Sequence, residues 1–215
     1  MYIGRIVSVV QTPEGKLGAV YRVSSRSFPN RTAVPGANKV SIVPKAGFEE
    51  DIHKNPYIAY NCVRVVCDGR VAVVTNGSQT DPIAEKIAQG LPVRDALAVV
   101  SLAMDFEKDD YNTPRISAVA DARDGSAWLA VVRHDGIEVR RMPLEPGKFF
   151  YVSTYEENSI SLTQSGVYDA TNTEEACAFI LGKGVFAERT NPVTAVAALD
   201  NGAGFDLLAT DASQA

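Results

Sequence analysis

Alternating apolar and polar positions dominate the first third of the chain. Residues 2–10 and 17–23 read as strands around the turn Thr12-Pro13-Glu14-Gly15, and residues 39–44 as a third strand. The stretch from Asn55 to Gly77 gives two more, joined at Asp68-Gly69, a dipeptide suited to the left-handed torsions of a tight hairpin. The period then changes. From Thr80 to Asp109 apolar residues recur at three- and four-residue steps (Ile83, Ile87, Leu91, then Leu97, Val100, Leu102 and Met104), which predicts helix. Pro82 fits a first turn capped by Ser78 or Thr80, and Gly90 with Pro92 divides the segment into two helices.

Strand patterns return at residues 115–122, and two more follow around an Asp135-Gly136 turn. The segment Lys148 to Glu157 adds another. Thr173, followed by Glu174 and Glu175 where the helix dipole favours anions, opens a third helix that closes at Gly182. Two strands around Asn201-Gly202 end the pattern. This order predicts one α+β domain over residues 1–215, with mostly antiparallel sheets.

Composition narrows the class. With 46% hydrophobic and 22% charged residues the chain can bury a core, which excludes a disordered or low-complexity protein. The formal charge of −5 argues against a nucleic-acid binder. The three cysteines cannot all pair and suit a reducing cytosol. Cys62 and Cys67, at odd spacing on one strand-like run, point to opposite faces, and no metal site is expected. The N-terminal segment lacks the features of a signal peptide, and no apolar run is long enough for a membrane span. A soluble, cytoplasmic protein is expected.

Candidate chemistry gathers in four segments. Residues 21–31, YRVSSRSFPNR, offer Arg22, Arg26 and Arg31 with Ser24, Ser25, Ser27 and Asn30, the donors a phosphate dianion needs. Asn76-Gly77-Ser78 lies between a strand and a helix, where free backbone N–H groups bind anions or carbonyls. In NPYIAYNC, Tyr60 and Asn61 are potential donors to an oxyanion. In LAMDFEKDDYNTPR, the acids Asp105 and Glu107 oppose the dipole at a helix end, which reads either as a solvated helix end, the commoner case, or as a carboxyl with a raised pKa available for proton transfer; Arg115 follows. No P-loop, dinucleotide fingerprint or nucleophile elbow is present. By itself this inventory reaches an anionic small-molecule site on an α+β scaffold.

These segments, with NGSQTD, NTPRI, YVSTYE (151–156) and NPVTA (191–195), occur in an order and spacing that resemble the archaeal-type inosine monophosphate (IMP) cyclohydrolases, from Met1 nearly to the C-terminus. The resemblance implies a four-layer αββα sandwich like that of the N-terminal nucleophile hydrolases, although Met1 and Tyr2 supply no terminal nucleophile. It implies dehydrative closure of 5-formamidoimidazole-4-carboxamide ribonucleotide to IMP, without cofactor or metal, by a homo-oligomer (tetramer or dimer). Catalysis would fall to Tyr60, Glu107 and Arg31. Substrate binding would fall to Arg22, Ser24, Arg26, Asn30, Asn61, Asn76, Gly77, Ser78 and Arg115. Two alternatives stay open: an amide hydrolase with Cys62 as internal nucleophile, and a non-catalytic purine nucleotide sensor.

Overall fold

The computed structural model describes residues 1–213. Thirteen strands form two sheets in which every pairing is antiparallel. One has six strands in the order β11-β10-β1-β2-β12-β13, where β1 is Ile6–Gln11, β2 Leu17–Ser24, β10 Lys148–Ser153, β11 Ser165–Val167, β12 Pro192–Asp200 and β13 Phe205–Asp211. The other has seven in sequence order: β3 (Arg31–Pro35), β4 (Lys39–Pro44), β5 (Tyr60–Val66), β6 (Val71–Thr75), β7 (Arg115–Asp121), β8 (Ser126–Arg133) and β9 (Gly136–Arg141).

Three apolar clusters stack these sheets into layers. Val7, Val9, Tyr21 and Val23 of the first sheet meet Cys62, Val74, Ile116 and Ala118 of the second. Period-2 alternation gives each strand a second face, and helices cover it. Ile6, Val10 and Val20 pack under helix α4 (Thr173–Gly182) through Phe179 and Ile180. Val71, Val73 and Val119 pack under α2 (Thr80–Ala88) and α3 (Val93–Met104) through Ile83, Ile87 and Leu97. The layers thus run helix, sheet, sheet, helix. No helix among the described residues is long and apolar enough to cross a membrane.

Most predicted elements are present, with four differences. The first strand starts at Ile6, because Gly4 sits at φ +78° and turns the chain before it. Residues 31–35 form β3, a short edge strand ending in proline, where the missing N–H leaves no ladder bond unmade. A four-residue helix, α1 (Asp51–Lys54), and the three-residue β11 are too short to leave a periodic trace. The α2 N-terminus has no side-chain cap: Ser78 is exposed, and the Thr80 hydroxyl bonds instead to Thr75 and the Gly77 carbonyl.

Arg22 belongs to this framework. On β2 it alternates with Tyr21 and so faces α4 rather than the core between the sheets. Its fully buried guanidinium donates to the Ile180 and Leu181 carbonyls at the end of α4, to the Arg189 and Thr190 carbonyls, and to the Ser24 hydroxyl. A helix C-terminus leaves such carbonyls without partners, and a cation there also complements the dipole. Arg22→Met should lower unfolding free energy in urea by about 3 kcal/mol or more, since several buried acceptors lose their donor together.

Candidate active site

At one end of the sandwich, strand termini converge. Arg5 precedes β1, Ser24 ends β2, Arg31 opens β3, Tyr60 opens β5, Asn76 follows β6 and Arg115 opens β7. Between α3 and β7 the chain forms a loop closed by the Glu107 N–H donating to the Thr113 carbonyl at 2.9 Å. The Asp109 carboxylate ties the loop from within, accepting from the Thr113 N–H and hydroxyl. The loop points Glu107 inward, where it is 1% exposed.

Arg5 meets this carboxylate with two nitrogens, Nη2 2.9 Å from Oε2 and Nη1 3.4 Å from Oε1. Arg115 stands 3.7 Å from Oε1 and is anchored to the Asp105 carbonyl and to Gln79 Oε1. Burial lifts the Glu107 pKa above the ordinary carboxylate range, while Arg5 and Arg115 pull it down. Arg5 stays fully cationic. A carboxyl balanced in this way suits proton exchange. One reading of the sequence ties a raised pKa here to a helix dipole; α3 ends at Met104, three residues before Glu107, and burial is the leading cause.

Glu107 and Arg5 line a cleft that is partly open to solvent. Ser24, Ser25, Ser27, Phe28 and Arg31 form one wall; Asn55, Tyr57 and Ile58 form another; Asp109, Tyr111 and Tyr155 close the rim. An outer lobe continues past Ser27, Tyr111 and Tyr155 to Tyr2 and Arg26, whose guanidinium lies 4.3 Å from the Tyr2 ring centre. Arg31 is 4% exposed and donates Nε–H to the Phe28 carbonyl; its other guanidinium nitrogens have no hydrogen-bond partner among the described residues.

Tyr60, 8% exposed, does not line the cleft but lies close enough to Arg5 and Arg31 to feel both charges. Its hydroxyl shares a 2.6 Å hydrogen bond with that of Tyr21, from the opposite sheet. Burial raises the pKa of both phenols, so both are neutral donors near pH 7.

The structure therefore brings Tyr60, Glu107, Arg31, Arg115, Gly77 and Ser24 together, with Arg26 in the outer lobe. Gly77 earns its place by size, because a Cβ there would lie 2.7–3.1 Å from Gln79 Oε1, Arg115 Nη1 and Glu107 Oε1. Several expected ligands are elsewhere. Arg22 caps α4. Asn61, one residue after Tyr60, faces the other side of its sheet, where its amide donates to Asp81 and its oxygen accepts from Ser41. Asn76 is fully buried and fixes the backbone, donating to the Pro114 carbonyl and accepting from the Ile116 N–H and Gln79. Ser78 is exposed, and neither it nor Asn30 lines either lobe.

Cys62 does not fit the nucleophile role. Its thiol is buried in the core between the sheets, points at the Val40 carbonyl, and is pushed up in pKa by burial. The residues that sequence patterns missed are Arg5, Tyr2, Tyr21, Asp109, Tyr111 and Tyr155. One signal was available: Arg5 interrupts an apolar run, and a charge in such a position needs a partner.

The fold and this site present a buried carboxyl and several guanidiniums around one cleft, chemistry suited to a small anionic molecule. The sequence profile described as IMP cyclohydrolase-like protein matches residues 2–204. The IMP cyclohydrolase of Methanosphaera stadtmanae is 50% identical over 200 residues, covering 93% of this chain and 95% of that protein. That of Methanocella arvoryzae is 50% identical over 176 residues (81% and 83%), and that of Methanocaldococcus jannaschii 45% over 202 residues (93% and 95%). The chain belongs to the IMP cyclohydrolase-like family.

The orientation of Asn61 has a direct consequence. Asn61→Ala should cost about 1 kcal/mol of stability through the lost Asp81 and Ser41 contacts. It should leave turnover and KM unchanged, as steady-state kinetics on the folded variant would show.

Proposed function

We propose that this protein is an IMP cyclohydrolase: it closes 5-formamidoimidazole-4-carboxamide ribonucleotide to IMP with release of one water. The observation that carries the reading is the buried Glu107 carboxyl, poised between burial and two guanidiniums, in a cleft that also presents Arg31. The family membership supplies the substrate.

Nucleophile and electrophile sit on the same imidazole, so the work is orientation, charge stabilisation and proton movement. The carboxamide nitrogen attacks the formyl carbon, and a C–N bond forms. Glu107, as carboxylate, takes one proton from that nitrogen and delivers it to the former formyl oxygen. The hydroxyl then leaves as water, taking up a second proton, while the formamide nitrogen loses its own and the ring C=N bond forms. The Tyr60 hydroxyl, fixed by Tyr21 behind the cleft wall, adds its dipole to the stabilisation of the negative oxygen between the two steps. Arg31 and Arg26, with Ser27, hold the phosphate and ribose. Arg115 adds a second cation 3.7 Å from Glu107 Oε1.

The same reading treats the chain as a single domain and takes the helix–sheet–sheet–helix layering as that of the N-terminal nucleophile hydrolases, put to different chemistry. A cytoplasmic setting and a homo-oligomeric assembly belong to it through the resemblance. A purine nucleotide sensor would have no use for the Glu107 arrangement.

Purified protein mixed with the formylated precursor, without added metal or folate, should develop purine absorbance; a rate equal to the uncatalysed one overturns the reading. Glu107→Gln should lower kcat by roughly 10²–10⁴-fold while IMP binding persists. The wild-type rate should fall on the acid side as pH drops through the raised Glu107 pKa, and that limb should be absent in Glu107→Gln. Arg31→Met should weaken IMP binding in calorimetry by roughly tenfold or more, the loss of a charge-assisted contact.

A further inference from the structure

We propose that Arg5 is the positioning residue of the acid–base group, holding the Glu107 carboxylate in one orientation and in its proton-accepting form. The inference rests on the cyclohydrolase reading and deepens it.

The geometry separates Arg5 from an ordinary counter-ion. It approaches both carboxylate oxygens, so it fixes the rotation of the group as well as its charge. Arg115 reaches one oxygen from farther away and divides its donors between the Asp105 carbonyl and Gln79. The chain around Arg5 is built to deliver it. Gly4 is at φ +78°, and a Cβ there would sit 2.0 Å from Thr154 Oγ1. That same hydroxyl accepts the Arg5 backbone N–H at 3.0 Å. Nη1 also donates to the Asn76 carbonyl, locking the guanidinium to the end of β6. The side chain thus spans from the first sheet to the second and ends in the cleft wall.

A purely structural demand does not explain this. Replacing a buried ion pair with apolar side chains is often neutral or stabilising, so placing one at the water-accessible end of the core costs stability that packing alone would not require. The other charged groups facing Glu107 are Arg115 from β7 and Asp109 from its own loop, and the phenols Tyr21, Tyr60 and Tyr155 face Arg5. Among these, Arg5 makes the only direct hydrogen bonds to the carboxylate in the described residues.

The test is a double-mutant cycle with pH profiles on the full chain. Arg5→Met should lower kcat roughly 100-fold with IMP affinity retained, and should move the acid limb to higher pH because the carboxylate has lost its nearest cation. In the Glu107→Gln background the same substitution should cost almost nothing further. Arg5→Lys keeps the charge without the two-point grip; it should recover part of the rate and return the limb toward its wild-type position. If Arg5→Met fails to fold, Arg5→Lys and Arg5→Lys/Glu107→Gln, which keep a cation at this position, carry the cycle.

Rate losses that persist undiminished beside Glu107→Gln, or an acid limb unmoved in every Arg5 variant, would overturn the positioning role. So would a rise in KM at constant kcat. An inactive wild-type protein would instead overturn the cyclohydrolase reading, so the two failures are distinguishable.

Discussion

A buried carboxylate held between two guanidiniums is the constraint on which the rest of the structure turns. Glu107 is carried on a loop of the seven-stranded sheet, and Arg5 precedes the first strand of the six-stranded one. Their pairing therefore joins the two sheets where the apolar core ends. Either charge alone would be costly to bury, and each is tolerated because the other is within hydrogen-bond distance. The cleft inherits its electrostatics from this pair: a carboxyl lifted in pKa by burial against the pull of its partners.

Face alternation along strands then decides which neighbours share the site. Tyr21 and Arg22 are adjacent in β2, yet one hydroxyl reaches Tyr60 across the inter-sheet core and the other side chain caps a helix on the outer face. Tyr60 and Asn61 divide in the same way, Asn61 turning toward Asp81 of α2. A polar cluster that is dense in sequence is thus split in space between the cleft region and the framework. Backbone shape adds a second filter, since Gly77 leaves the space that Gln79, Arg115 and Glu107 occupy.

Most of the fold was legible in the chain. The strands from residue 39 to 141, the helix pair, α4 and the final hairpin follow from apolar periodicity and turn dipeptides, which act locally. The misses are short or context-dependent: β3, β11, α1 and the true start of β1. For the site, Glu107, Arg31, Arg115 and Tyr60 were legible as residue types in suggestive segments. Arg5 was not, because its segment reads as strand, and Tyr21, Tyr111 and Tyr155 lie in singled-out segments where nothing local marks the tyrosine itself.

The sequence by itself determined the elements, the absence of any conventional nucleophile motif, and the family that its ordered motifs resemble. Only the tertiary structure decided that Arg5 meets Glu107, that Arg22 and Asn61 serve the framework, and that Cys62 is core. The reason is physical: periodicity records which face of one element is buried, whereas a site forms where the ends of several elements meet. That meeting is set by layer stacking and strand order, which bring residues 5, 31, 60, 107 and 115 together although no local pattern links them.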